Sequence, residues 1–362
     1  MSRKTLSPEA LARALSIRDL TDPAQGPHAM QLLLTEIVTA LERAWRCEVA
    51  WHRASPIVTV HENYDALGYP ADGSARDERY SRYVTQDTLL RTQTSAMLPS
   101  ILHLPRGGEG RGVGQNVLLV CPGLVYRRDV IDRLHTGEPH QVDLWKLGEG
   151  SLHEMASVVI NAALPGREWR SSPAQHPYTR EGLQLDVREG DAWIEIGECG
   201  IASETLLPKG LAMGLGLDRL LMLRKGIPDI RLLRANDPRV ISQLLDLSPW
   251  RTVSRMPPVQ RDLSIATNEL SAEVLGDRVR EALHESAALV ESVEILSTMP
   301  ARDLPEIAHE RLGMSREHYN VLLRLVLRSN DRTLTHVECN ELRDQVYAAL
   351  HEGTSWTWAA RP

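Results

Sequence analysis

The clearest pattern in the chain lies between Pro27 and Arg46. There Met30, Leu33, Leu34, Ile37, Val38, Leu41 and Trp45 recur at helical spacing and predict a helix with one apolar face. Short alternating runs follow, such as Ile57-Val58-Thr59-Val60, separated by turns rich in Gly, Pro and Asp. The stretch Gly114 to Leu147 predicts a buried strand over Asn116 to Val120, a turn at Cys121-Pro122-Gly123 and a second, charged strand carrying Tyr126 to Asp129. Ser151 to Ala163 reads as a helix, Leu183 to Val187 with Ala192 to Ile196 as a strand pair, and Leu211 to Arg224 as a glycine-bearing apolar helix. The sum is an α+β pattern with a largely antiparallel sheet.

The pattern changes after Leu247. Ser248-Pro249 and Met256-Pro257-Pro258 read as a linker. Beyond it come a strand (Asp262 to Thr267), a helix (Ala272 to Glu285), two strands (Leu289 to Leu296, Asn320 to Arg328), a helix (His336 to Leu350) and a strand (Ser355 to Ala359). That order, βαββαβ, is the ferredoxin-like split motif, and Thr335 with Glu338 forms a capping box for its second helix. The expected division is therefore a first domain over 1–247, a linker over 248–256 and a second domain over 257–362.

Composition narrows the class. The 362 residues suggest two or three domains, and 42% hydrophobic with 25% charged residues is ordinary for a soluble globular protein. No apolar run reaches the ~18 residues of a membrane span, and Met1 to Leu20 have no long apolar stretch, so a secretory signal is not expected. Four scattered cysteines (Cys47, Cys121, Cys199, Cys339), with no CxxC pair, argue against a disulfide framework or a cysteine zinc site and fit a reducing, cytoplasmic setting. A net charge of −7 argues against a protein that coats polyanions, though its 37 arginines against 4 lysines allow a local basic face. There is no phenylalanine at all, where roughly a dozen would be ordinary for this length.

Two clusters carry candidate chemistry. The first is Tyr126-Arg127-Arg128-Asp129, then His135 and Pro139-His140-Gln141-Val142-Asp143. An arginine on a rigid strand can fork onto a phosphate, and Gln141 with Asp143 alternates onto one strand face where an amide and a carboxylate suit an ammonium group. The plain alternative is a surface strand laced with ion pairs. The second is Gly210-Leu211-Ala212-Met213-Gly214-Leu215-Gly216-Leu217-Asp218-Arg219-Leu220. Its glycines permit close approach, and an arginine on an apolar helix needs an anion. Its alternative is a packed helix with a structural salt bridge.

Taken together, these residues resemble the motifs of class II aminoacyl-tRNA synthetases, and in particular the phenylalanyl-tRNA synthetase catalytic core. Asn63-Tyr64-Asp65-Ala66-Leu67 and Leu89-Leu90-Arg91-Thr92-Gln93-Thr94-Ser95 look like that family's early signatures. Val125 to Asp143 resembles its motif 2, and His176-Pro177-Tyr178-Thr179 its aromatic-Pro-aromatic-Thr substrate loop. Trp193-Ile194-Glu195-Ile196 with Cys199-Gly200 matches the next strand. Gly214 to Arg219 followed by Gly226-Ile227-Pro228-Asp229-Ile230-Arg231 resembles motif 3. Arg261-Asp262-Leu263-Ser264 and Thr333-Leu334-Thr335 look like its ferredoxin-fold anticodon-binding domain. The resemblance runs from about Asn63 to the C-terminus, in the arrangement of the single-chain, mitochondrial-type enzyme.

The resemblance implies a class II antiparallel sheet with helices, followed by the ferredoxin-like domain. It implies activation of phenylalanine or a close analogue with ATP and Mg²⁺ and transfer to tRNA(Phe), by a monomer in the bacterial cytoplasm with no membrane partner. On this footing Arg127 holds the α-phosphate and the substrate carboxylate, Arg219 the γ-phosphate, and Glu195 ligates Mg²⁺ or orders the ATP. Asp129, His135 and Pro139 fall at nucleotide contacts. Gln141 and Asp143 bind the α-ammonium group, Gln93 and Ser95 flank the amino acid, and His176, Tyr178, Ala212 and Met213 line its side-chain pocket. The chain departs from the family where Tyr64, Pro139, His176, Tyr178, Met213 and Ile265 stand in place of phenylalanine. Gln93 replaces a histidine, Asp143 and Asp218 replace glutamates, and Glu198 replaces a glycine. Two other readings remain: a paralogue activating an aromatic amino acid for a biosynthetic or resistance pathway, and a catalytically dead tRNA-binding regulator.

Overall fold

The computed structural model describes residues 3–73, 76, 80–103, 116–207, 209–253, 256–330 and 332–356. The chain divides into two compact units. The first comprises residues 1–127, 138–228 and 242–250, and the second 128–137, 229–241 and 251–362.

In the first unit the strands are β1 (Glu48–Trp51), β2 (Ile57–Thr59), β3 (Arg82–Tyr83), β4 (Thr88–Leu90), β5 (Val117–Leu124), β6 (His140–Leu147), β7 (Trp169–Pro173), β8 (Thr179–Glu189), β9 (Ala192–Ala202) and β10 (Gly210–Gly216). Seven of them form one sheet in the order β1-β5-β6-β10-β9-β8-β7, and β2-β4-β3 form a small second one. The large sheet is antiparallel throughout except for the β1–β5 pair, which is parallel. The apolar stripe foreseen in the sequence forms the helix Ala29–Trp45, with His28 as N-cap and Arg46 closing it in the left-handed conformation. Its Met30, Leu33, Leu34, Ile37, Val38 and Leu41 are buried, and it packs against the helices Leu152–Ala163 and Leu217–Lys225.

Three local expectations give way. The turn expected at Cys121-Pro122-Gly123 is absent, because β5 runs straight through to Leu124. Proline is tolerated there because β1 ends at Trp51, with His52 N–H donating to Val120 O. The Pro122 nitrogen, two residues further along, therefore points to an edge with no strand to serve. Gly123 takes a φ of +155° that L side chains rarely adopt, and a Cβ there would stand 2.1 Å from Arg91 Nη2, which would have to shift. Tyr126 to Asp129 do not lie on a strand, since regular pairing ends at Leu124. Finally, Leu211 to Gly216 belong to a strand and not to a helix, which begins only at Leu217. The period is two: Leu211, Met213 and Leu215 face one side, and the small Ala212, Gly214 and Gly216 face the other.

The second unit has the antiparallel strands β11 (Val259–Thr267), β12 (Val290–Pro300) and β13 (Tyr319–Leu327) in the order β11-β13-β12. Helices Ala272–Leu283 and His336–Leu350 close its core, which contains Leu263, Ile265, Leu275, Val279, Leu323, Leu325 and Val346. Helix Glu306–Leu312, between β12 and β13, was not foreseen. The last expected strand, Ser355 to Ala359, runs into residues 357–362, outside the described residues. Ile131 belongs to this unit's core, and Arg280 donates to the carbonyls of Asp129 and Val130 at 2.6 and 2.7 Å.

Candidate active site

The site is built on one face of the large sheet, and strand register defines it. Asp143 on β6 lies opposite Gly214 on β10, which lies opposite Glu198 on β9 and then Gln184 on β8. One row along, Trp145, Ala212 and Gly200 are opposed in the same way. Opposed residues share a face, so Asp143, Glu198, Trp145 and Ala212 project to the same side. Gln141, two residues before Asp143, joins them.

Asp143 is the centre of the hydrogen bonding. Its carboxylate accepts from Thr94 Oγ1 at 2.5 Å and Ser95 Oγ at 2.8 Å, both from the 3-10 turn Thr94–Met97. Burial pushes its pKa up, partly offset by the two hydroxyls and by the nearby Trp145 indole, which lies beside the carboxylate without hydrogen-bond geometry. The His176 imidazole, paired with Glu198, also lowers it electrostatically, and no ion pair to Asp143 is found among the described residues. Tyr178 packs beside this centre, with its hydroxyl 3.3 Å from Ser95 Oγ and its ring centroid 5.8 Å from Trp145 and 6.1 Å from Tyr69. Burial raises its phenol well above the ordinary value. Ala212 is buried in the same apolar cluster as Trp145 and Tyr178.

His176 lies against Tyr178, with ring centroids 5.2 Å apart, and its Nε2 pairs with the Glu198 carboxylate. That pairing raises the imidazole pKa, with burial opposing it. A register shift in β9 opposite Leu185/Asp186 lets Glu195 and Glu198, three residues apart, occupy one face. Arg219, in the first turn of helix Leu217–Lys225, donates to the Glu195 carbonyl at 3.2 Å and so stands beside that residue.

The remaining expected residues are placed as follows. Gln93 is fully engaged, donating to Asn63 O at 2.9 Å and accepting from Tyr69 Oη at 2.7 Å. Arg127 is half-buried where the chain leaves the sheet, its carbonyl accepting from Arg82, which also pairs with Glu138. Pro139 precedes β6 and accepts from Val125 N–H at 2.9 Å. Met213 does not share the face of Asp143 and Ala212, so it is not placed with the other expected amino-acid contacts. It lies opposite Leu144 and Cys199, on the sheet face away from Ala212 and Asp143, because neighbouring strand residues point to opposite sides. Asp129 and His135 fall in the second unit, where His135 Nδ1 pairs with Asp132 at 2.8 Å.

Sequence reasoning missed four contributors. Thr94 was hidden beside Ser95, although both hydroxyls reach Asp143. Trp145 is signalled by strand alternation, two residues after Asp143. Tyr69 and the pairing role of Glu198 carry no local signal. Asp218 is structural: its carboxylate accepts from His140 N–H at 2.5 Å and meets His140 Nδ1 at 2.9 Å, while Leu20 N–H donates to His140 Nε2 at 3.0 Å. Those roles require the proton on Nδ1.

A seven-stranded, largely antiparallel sheet carrying this row of polar groups, with an arginine on the helix after β10, is the core of a class II aminoacyl-tRNA synthetase. The family described as tRNA synthetases class II core domain (F) matches residues 22–244. A mitochondrial protein of Drosophila melanogaster named as a probable phenylalanine--tRNA ligase is 27% identical, covering 90% of this chain and 83% of that protein. The chloroplastic/mitochondrial phenylalanine--tRNA ligase of Arabidopsis thaliana is 30% identical, covering 81% and 68%. The phenylalanine--tRNA ligase alpha subunit of Prochlorococcus marinus (strain MIT 9313) is 31% identical, covering 62% and 69%. The chain belongs to the phenylalanine-type family of class II aminoacyl-tRNA synthetases.

Proposed function

We propose that the chain is a single-chain phenylalanine--tRNA ligase that activates phenylalanine, or a close analogue, with ATP and transfers it to tRNA(Phe). The observation that carries this reading is the Asp143 centre. A buried carboxylate held by two hydroxyls, with the His176 imidazole acting on it electrostatically but no ion pair to it among the described residues, is costly on its own, and the α-ammonium group of an amino acid supplies a directly paired charge. The apolar cluster of Ala212, Trp145 and Tyr178 beside it suits an aromatic side chain.

In this reading Gln141 and Asp143 hold the ammonium group, and Arg127 draws the substrate carboxylate and the α-phosphate together. A carboxylate oxygen attacks the α-phosphorus in line, and pyrophosphate leaves toward Arg219. The tRNA's terminal hydroxyl then attacks the adenylate carbonyl, the bond from that carbonyl to the phosphate oxygen breaks, and AMP leaves, its phosphate taking the hydroxyl proton. No protein nucleophile is needed, because positioning and charge neutralisation carry such a reaction. Among the described residues no group of three or more His, Cys, Asp or Glu could hold a metal by itself. Mg²⁺ is commonly held by one or two carboxylates together with substrate phosphates, and Glu195, exposed beside Arg219, fits that use. The ion would neutralise developing phosphate charge.

The second unit is read as the tRNA-binding part, the working state as a monomer and the compartment as a bacterial cytoplasm. No helix among the described residues is long and apolar enough to cross a membrane. The polar His176–Glu198 pair favours a second reading, a paralogue that activates a different aromatic amino acid. ATP–pyrophosphate exchange with each aromatic amino acid, followed by charging of tRNA(Phe), tests both. Exchange with none of them would overturn the assignment.

A further inference from the structure

The wall of the amino-acid pocket formed by His176 is polar and oriented, and this inference rests on the reading of that site given above. Three observations meet there. The Glu198 carboxylate holds His176 Nε2, which fixes the imidazole against Tyr178 at 5.2 Å between ring centroids. His176 Nδ1 is buried and has no hydrogen-bond partner among the described residues. The space between Glu198 and Asp143 is left clear by Gly214, where an added Cβ would meet nothing nearer than Asp143 Oδ1 at 3.9 Å.

A plain phenyl ring would leave Nδ1 without a partner, and a buried polar atom left unpaired keeps the full cost of its desolvation. A ring hydroxyl both donates and accepts, so it pairs with Nδ1 in either protonation state of the imidazole. Sites that pair with a substrate hydroxyl discriminate strongly against the analogue lacking it, whereas apolar pockets discriminate weakly. We propose that His176, held by Glu198, is a specificity-determining residue whose Nδ1 pairs with a hydroxyl on the substrate's aromatic ring, so that a ring-hydroxylated phenylalanine is preferred to phenylalanine itself. Glu198 is the positioning residue: it fixes the ring and touches the substrate only through it.

The test is ATP–pyrophosphate exchange by the full chain with phenylalanine, meta-tyrosine and tyrosine. The preferred hydroxylated substrate is expected to exceed phenylalanine in kcat/KM by at least about tenfold. The double variant His176→Phe/Glu198→Gly, which removes the imidazole and its counter-charge together, is expected to reverse that order. Glu198→Gln keeps the size of the side chain and guards against a folding failure. Its effect should fall more heavily on KM for the hydroxylated substrate than on KM for phenylalanine. Wild-type exchange that favours phenylalanine over both hydroxylated forms overturns the inference while sparing the proposed function. Exchange with none of the three removes both.

Discussion

At the scale of single residues, the proposed chemistry rests on a few charged groups. Arg219 stands beside Glu195 through its bond to that residue's carbonyl, and Arg127 sits where β5 gives out. Each is assigned to a phosphate, and removing one such donor costs on the order of 10²–10³-fold in rate. Arg127→Ala and Arg219→Ala are therefore each expected to abolish measurable adenylate formation while the far-UV circular dichroism stays unchanged. Pyrophosphate exchange near the wild-type rate in either would remove the assignment. Ala212 makes a different prediction, because it is buried in one cluster with Trp145 and Tyr178. In the proposed site, deleting its methyl makes room beside the substrate ring, and a methyl's worth of space is worth ~1–3 kcal/mol of discrimination. Ala212→Gly is expected to improve kcat/KM for para-halogenated phenylalanines relative to phenylalanine, as read by competitive exchange. Residue types such as Asp143, Ser95 and Ala212 were legible from the motif, but facing was not. Met213 and Ala212 are adjacent in sequence, yet alternation sends them to opposite faces, which becomes evident only once that segment is known to be a strand.

At the scale of elements, the long apolar helix and the βα order of the second unit could be read because their periods run uninterrupted for many residues. The helix expected over Leu211 to Arg224 begins only at Leu217, because the preceding run of glycine and apolar residues fits either period and only its pairing with β6 and β9 makes it a strand. The capping box of helix His336–Leu350 was legible in full, since it is a local device: Thr335 Oγ1 accepts from Glu338 N–H at 3.2 Å and the Glu338 carboxylate accepts from Thr335 N–H at 2.9 Å. Thr335→Ala is expected to cost about 1 kcal/mol in the urea unfolding of the second unit. The same box gives a pH dependence. The Arg332 guanidinium, and after it the Thr335 N–H and hydroxyl, hold Glu338 down to about 2 from its usual 4.5. A folded-state pKa below the unfolded one gives stability that is complete above pH 4.5 and is lost as the pH falls toward 2. Glu338→Gln is thus expected to lower the urea midpoint at neutral pH and to flatten its decline across that acid window. A parallel decline in both proteins would show that the box contributes nothing to it.

At the scale of the whole molecule, the most unusual property is compositional: the aromatic residues are 8 Trp and 8 Tyr, with no Phe. The cores accept this, with Tyr64, Tyr126, Trp145 and Tyr347 among the largest fully buried side chains. Two of them carry a polar atom that phenylalanine would not bring, since Trp145 Nε1 and Tyr347 Oη are buried without a hydrogen-bond partner among the described residues. Folding physics offers no reason to exclude phenylalanine from every position, because it is among the residues most readily buried. The consequence lies in synthesis. A chain with no phenylalanine codon is translated without drawing on phenylalanyl-tRNA, the product assigned to this enzyme. Its synthesis is therefore expected to continue when phenylalanine charging is shut down, conditions in which chains that contain phenylalanine stall. The comparison needs phenylalanine placed where it does not disturb the fold. Leu32 and Ile307 are 45% and 76% exposed and serve that purpose. A Leu32→Phe/Ile307→Phe variant should match the native chain in stability and in accumulation while charging is normal. After charging is inhibited in cells, pulse labelling should show the variant falling behind while native synthesis persists. Equal loss of both would show that freedom from the phenylalanine codon confers no such independence.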